Sequence, residues 1–95
     1  MQTVERTLSL LEYLSEFKDG VGVNEISNHL DLPLSTTHRL LTALKNNGYV
    51  SQDYLTRRYS LGIGVLTLAV KLLNEMDIVQ IAKPMLSELS TKYGQ

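Results

Sequence analysis

Leu32-Pro33-Leu34-Ser35-Thr36-Thr37-His38-Arg39-Leu40-Leu41 is the stretch whose reading decides the fold. Pro33 cannot continue a helix and disfavours helical geometry in Leu32 before it, so the stretch opens on a turn. Ser35 is placed to cap a new helix by accepting a hydrogen bond from an otherwise orphan backbone N–H. The helix runs from Thr36 to Asn47, with Gly48 placed to end it in left-handed geometry. Its core stripe is Thr37, Leu40, Leu41 and Leu44, which leaves Ser35, His38, Arg39, Thr42 and Asn46 on the opposite face and Thr36 at the border. Small hydroxyls and an arginine in the first turns suit a helix that presents its N-terminal end to a DNA major groove.

Upstream, Thr3 reads as the cap of a first helix reaching about Phe17. Val4, Leu8 and Leu11 share one face with Leu14 beside them, while Leu10, Tyr13 and Phe17 fall on an adjoining face. That arc is wide enough to meet a further helix or a second subunit. Asp19-Gly20 breaks the helix, Val21-Gly22-Val23 is a short extended piece, and Asn24 caps a second helix from Glu25 to about Leu30. Asp31 to Leu34 is then the turn between two helices.

Downstream, Tyr49-Val50-Ser51-Gln52 and Arg58-Tyr59-Ser60-Leu61 read as strands joined by a tip at Asp53 to Arg57. Helix, short strand, helix, turn, helix and hairpin make a mainly α domain with a small β-wing: a winged helix-turn-helix over residues 1–61, with the wing at 49–61. A linker helix follows over 62–76. Its apolar stripes, among them Val65, Leu66, Ala69, Leu72, Leu73 and Met76, cover too much of the circumference for one small domain to bury, which points to a homodimer. Asp77 is placed to cap a last helix to about Tyr93, in which Pro84 forces a kink or a late start.

Composition narrows the function classes. Ninety-five residues without cysteine exclude disulfides, thiolate metal sites and cysteine nucleophiles. The net charge of −1 is unevenly divided: residues 1–34 carry −4, residues 35–59 carry +3 and residues 60–95 balance. The positive charge lies in the recognition helix and hairpin, where a nucleic-acid binder needs it. Lys45 flanks the helix, and Tyr54, Arg57 and Arg58 stand at the wing; strand alternation keeps Arg57 and Arg58 from pointing the same way. A protein-interaction winged helix is the alternative, and it calls for an acidic or apolar recognition face instead. With two histidines, no phosphate-binding glycine loop and no metal-ligand spacing, an enzyme is not indicated and no cofactor is expected. The Leu61 to Val70 run is too short to span a bilayer, so no membrane association is expected and the cytoplasm is the expected location.

These residues resemble the IclR family of bacterial transcription regulators. The likeness rests on Val4-x-Arg6, Val23-Asn24-Glu25-Ile26-Ser27, the Pro33-x-Ser35-Thr36-Thr37-His38-Arg39 run, Leu44-x-x-x-Gly48-Tyr49-Val50 and Tyr59-Ser60-Leu61-Gly62. The resemblance implies a winged helix-turn-helix, a dimerising linker helix and a C-terminal domain for a small-molecule effector. By position, Ser35, Thr36, Thr37 and Arg39 correspond to its recognition-helix residues, and residues 23–42 to its helix-turn-helix. It further implies a usually repressing regulator, dimeric and in a full-length form tetrameric, on a double-stranded operator of palindromic symmetry. Ile81-Ala82-Lys83-Pro84-Met85-Leu86-x-x-Leu89 looks like the start of the effector domain, so 77–95 is expected to be the first helix of a truncated one, and effector binding is not expected from these residues alone. Asp31 stands where many helix-turn-helix proteins place glycine, a position that aspartate tolerates.

Overall fold

The computed structural model describes residues 2–76 and 78–93, and the chain divides into two units, Met1–Val65 and Leu66–Gln95. In the first unit the element order is α1 (Gln2–Leu14), α2 (Val23–Leu30), α3 (Leu34–Asn46), β1 (Val50–Gln52) and β2 (Tyr59–Leu61), followed by the start of α4 (Ile63–Glu75).

α1 buries Leu10 and Leu14 completely and places Leu11 and Tyr13 at the edge of the core, whereas Val4 and Leu8 stay exposed. Thr3 does not cap this helix: it lies inside it, and its carbonyl accepts the Thr7 hydroxyl at 2.7 Å. Past Leu14 the chain tightens, with Glu16 N–H donating to the Tyr13 carbonyl and Phe17 N–H to Leu14, so bonding of a 3₁₀ kind extends to the expected end at Phe17. Gly20, at φ +86°, then turns the chain so that Val21 pairs with Tyr59 through two 2.8 Å backbone bonds. The extended piece read at Val21 is therefore a third, one-residue rung beside β2.

α2 starts at Val23, two residues before the expected Glu25, because Gly22 rather than Asn24 is the N-cap and no side chain caps it. Val23 packs against the core, which sets that register. At the far end Leu32 N–H reaches back to the Ser27 carbonyl and Asp31 N–H to Asn28, closing the helix with Asp31 at φ 53°, ψ 49°. This left-handed closure is the helix-turn-helix turn, and aspartate is among the few side chains that enter it readily. The buried Ser27 hydroxyl donates to the Leu32 carbonyl at 2.6 Å and fastens the turn further.

α3 corrects the reading of its own start. Ser35 is not the cap; Pro33, at φ −57°, ψ 147°, occupies that position and its carbonyl accepts Thr37 N–H at 3.0 Å. A proline just outside a helix costs nothing, since its φ is already suitable and its missing N–H would have had no partner. Ser35 is consequently the second helical residue and its hydroxyl faces outward. Thr37 and Leu41 are fully buried, with Leu40 and Leu44 packed at the core edge. Gly48 ends the helix at φ +84°, with Tyr49 N–H on the Leu44 carbonyl at 2.9 Å and Gly48 N–H on Lys45 at 3.1 Å.

β1 and β2 pair antiparallel with Val50 opposite Leu61, Ser51 opposite Ser60 and Gln52 opposite Tyr59. Leu10, Leu14, Val21, Ile26, Leu41, Val50 and Tyr59 form one core joining all of these elements. Each fully buried leucine or isoleucine there contributes about 1.5–3 kcal/mol.

α4 has no buried residue along its length; Leu66, Leu68 and Leu72 are each about half exposed, as is Met76 just past its end. α5 (Ile78–Tyr93) starts at Ile78 and runs through Pro84, so the proline neither delays nor ends the helix. The expected cap at Asp77 lies outside the described residues. Among the described residues, no helix is long and apolar enough to cross a membrane.

Candidate nucleic-acid interface

α3 presents Ser35, His38, Arg39, Thr42 and Asn46 as exposed residues, with Thr36 half-buried beside them. This is the outward face expected from helical periodicity. Thr36 and Arg39 lie one turn apart, and the Arg39 guanidinium donates to the Thr36 hydroxyl at 3.4 Å. Arg39 is thereby drawn toward the N-terminal end of the helix, while most of its five donors remain available. Thr37 belongs to the inside: its side chain is fully buried and its hydroxyl bonds to the Pro33 carbonyl at 3.1 Å. Burial removes it from the set of side chains positioned to touch a ligand.

The hairpin is built around Asp53. Its carboxylate accepts the N–H groups of Leu55 and Thr56, both at 2.8 Å, and its own N–H donates to the Arg58 carbonyl at 2.8 Å. Those two backbone donors hold the Asp53 carboxyl below the ordinary aspartate range. Arg57 closes the loop with its N–H on the Asp53 carbonyl at 3.0 Å, and it does so at φ 66°. A left-handed arginine is uncommon, and it places Arg57 outside the alternation of the strand. A Cβ added to Gly20 would sit 3.0 Å from the Arg58 Cβ, so the backbone at Arg58 runs close against the Gly20 turn.

Three features of this surface were not legible at the start. Leu55 is as exposed at the wing tip as Tyr54, at 85% and 86%. Gln52 joins α3 to the wing, accepting from Lys45 Nζ and donating to the Arg57 carbonyl, each at 3.1 Å. Gly62 and Gly64 seat the start of α4, with Gly62 N–H on the Tyr49 carbonyl and Gly64 N–H on the Gly48 carbonyl, both 2.8 Å. A hairpin residue flanked by polar neighbours carries no sequence signal of such a bridge, although the paired glycines do mark a close backbone approach.

Between α1 and α2, Tyr13 stacks on His29 with ring centroids 3.8 Å apart and 11° between planes, and Phe17 meets Tyr13 edge-on at 4.9 Å. The two histidines thus sit on different elements, His29 against α1 and His38 on the exposed face of α3. Among the described residues, no three His, Asp or Glu side chains gather as a metal site would require.

Two helices joined by a left-handed turn, the second with a polar outward face, and a hairpin tied to that helix define a winged helix-turn-helix. The IclR helix-turn-helix domain matches residues 3–54. The chain is 34% identical over 94 residues to the HTH-type transcriptional repressor AllR of Escherichia coli, and 36% identical to an HTH-type transcriptional regulator of Haemophilus influenzae. In each case the alignment takes in 99% of this chain and 35% of the relative, so the chain spans about a third of their length. Among solved structures it superposes on HmgR of Pseudomonas aeruginosa with a TM-score of 0.68 at 31% identity, covering 96% of this chain and 37% of HmgR. It also superposes on an IclR transcriptional regulator of Alicyclobacillus acidocaldarius with a TM-score of 0.76 at 26% identity, covering 95% and 36%. The chain belongs to the IclR family, and its helix-turn-helix is the DNA-binding domain of an IclR-type regulator.

Proposed function

We propose that this chain binds double-stranded DNA sequence-specifically as a two-fold dimer. Residues 1–61 form the reading domain, 62–76 the linker helix, and 77–95 the first helix of an effector-binding domain. Ser35, Thr36, His38, Arg39 and Thr42 face the major groove, with Arg39 suited to guanine O6 and N7. Lys45, Tyr54, Arg57 and Arg58 take the flanking backbone. Val65, Leu66, Ala69, Leu72, Leu73 and Met76 pair the protomers, and two-fold symmetry implies a palindromic operator with half-site centres about 34–36 Å apart. The regulator of which this domain is part represses transcription in the cytoplasm and answers to a small molecule held by a C-terminal domain; the repressor AllR, similar along 99% of this chain, supports that reading.

The observation that carries the proposal is the exposed face of Ser35, His38, Arg39 and Thr42 on a helix tied directly to a hairpin bearing Arg57 and Arg58. An interaction module would not need cations at both places. Selection of bound duplexes from randomised DNA, followed by anisotropy titration of the selected site, tests it. With three flanking cations per protomer in a dimer, six phosphates are neutralised, and affinity falls about 10³-fold between 50 and 200 mM salt. Salt-independent binding, or none at 50 mM, refutes the proposal.

A further inference from the structure

We infer that Gln52 is a positioning residue for DNA binding: it sets the wing in register with the recognition helix and acts through Arg57. The inference rests on the duplex reading above. The Gln52 side chain spans two elements, with Oε1 receiving Lys45 Nζ from α3 and Nε2 donating to the Arg57 carbonyl at the base of the tip. The chemistry admits one orientation. An ammonium only donates and a carbonyl only accepts, so the bridging group must carry an acceptor toward α3 and a donor toward the tip. Glutamine meets both requirements. Glutamate lacks the donor, leucine lacks both, and asparagine is one methylene short.

The residue at the far end of this bridge is the one whose backbone is unusual. Arg57 sits at φ 66°, with its N–H on the Asp53 carbonyl and its C=O on Gln52. Both polar groups of its peptide frame are thus held, one by the tip and one by the bridge to α3. The left-handed conformation takes the Arg57 side chain out of strand alternation, while the Arg58 backbone is held by Thr56 and Asp53 rather than by Gln52. Arg57 is therefore the wing cation whose placement depends on the bridge. A phosphate contact made by Arg57 while α3 sits in the major groove requires a set distance between wing and helix, and Lys45–Gln52–Arg57 supplies that distance. Lys45 keeps two further ammonium donors for phosphate while it holds the bridge.

Gln52→Leu tests the inference in the full 95-residue chain, titrated on the duplex selected by the wild-type chain. Losing one phosphate contact per protomer makes the slope of log K against log salt shallower by about 0.9 for each protomer bound, and lowers affinity about eightfold per protomer at 0.1 M salt. Discrimination among single-base variants of the duplex stays at the wild-type ratio, since α3 still reads them. In an Arg57→Ala background Gln52→Leu changes neither slope nor affinity further, because the residue it positions is gone. Gln52→Glu, which keeps the acceptor for Lys45 and loses the donor to Arg57, shows a shallower slope beyond what its added charge gives in the Arg57→Ala background, and serves if leucine unsettles the hairpin. A wild-type slope in both variants overturns the inference, as does an equal loss in the Arg57→Ala background. A wild-type chain that selects no duplex overturns the duplex reading itself, a distinct result from a wild-type slope in the variants.

Discussion

Gly62→Ala probes the seam on which the wing and the linker helix meet. Gly62 shows no left-handed φ, so alanine is conformationally acceptable there and any cost is steric. An added Cβ would lie against the Gly48 carbonyl oxygen, deep inside van der Waals contact, and 2.9 Å from the Val50 nitrogen; both neighbours are backbone and cannot rotate away. Restoring ordinary contact at 3.4 Å or more requires the backbone to separate by about an ångström. Overpacking of this kind costs about 1–3 kcal/mol. The separation also strains the Gly62–Tyr49 and Gly64–Gly48 hydrogen bonds, each worth about 0.5–1.5 kcal/mol. The sum is about 2–6 kcal/mol, which for a domain of this size lowers Tm by at least about 8 °C. Gly48→Ala is the matched contrast. Nothing lies within 4 Å of its added Cβ, but φ is +84°, so the penalty is conformational alone, about 1–2 kcal/mol. Thermal unfolding followed by circular dichroism compares the two. A Gly62→Ala chain that melts with the wild type, or a Gly48→Ala chain that suffers more than Gly62→Ala, refutes the steric account of this seam.

Arg39→Ala lowers discrimination at one base pair by about 1–3 kcal/mol if the guanidinium reads guanine, measured as the ratio of affinities for the selected duplex and its single-base variants. An equal loss on every duplex assigns Arg39 to phosphate instead. Asp53 makes the order of the wing tip depend on pH. Its carboxyl is held low in the folded chain, so its contribution is complete above the ordinary aspartate value and is lost as pH falls through the lower folded value. Amide chemical shifts of Leu55 and Thr56 should titrate with a midpoint below the ordinary range, and a midpoint at or above it contradicts the carboxylate clamp. Leu66→Glu and Leu73→Glu convert the proposed dimer to monomer in sedimentation equilibrium; a wild-type monomer at high concentration removes the linker-helix interface.

Local chemistry told where the chain breaks and which face of α3 is polar. Pro33, Gly48 and the Asp19-Gly20 pair restrict backbone geometry within one or two residues, and that restriction acts whatever surrounds it. The outward set Ser35, His38, Arg39 and Thr42 followed from the period of the helix and is exposed as expected. The caps were read less well, because a serine or asparagine near a helix start competes with whatever backbone the core happens to place there. Pro33 displaced Ser35, and Gly22 displaced Asn24, once Thr37 and Val23 had settled inward. In α1 the apolar pattern offered two adjoining faces, and packing selected Leu10 and Leu14 over Val4 and Leu8.

What the sequence determined by itself is therefore the order of elements, the turn through Asp31 and the polar edge of the recognition helix. Each depends on neighbours within about one helical turn. Only the tertiary structure decided how that edge is related to the wing. The Lys45–Gln52–Arg57 bridge joins residues seven and five positions apart across the helix, strand and tip, and the Gly48 carbonyl receives Gly64 across the whole hairpin. Hydrogen bonds of that kind form between groups brought together by folding of the β1–β2 pair, and no local preference of the chain encodes which of its polar side chains will be there to make them.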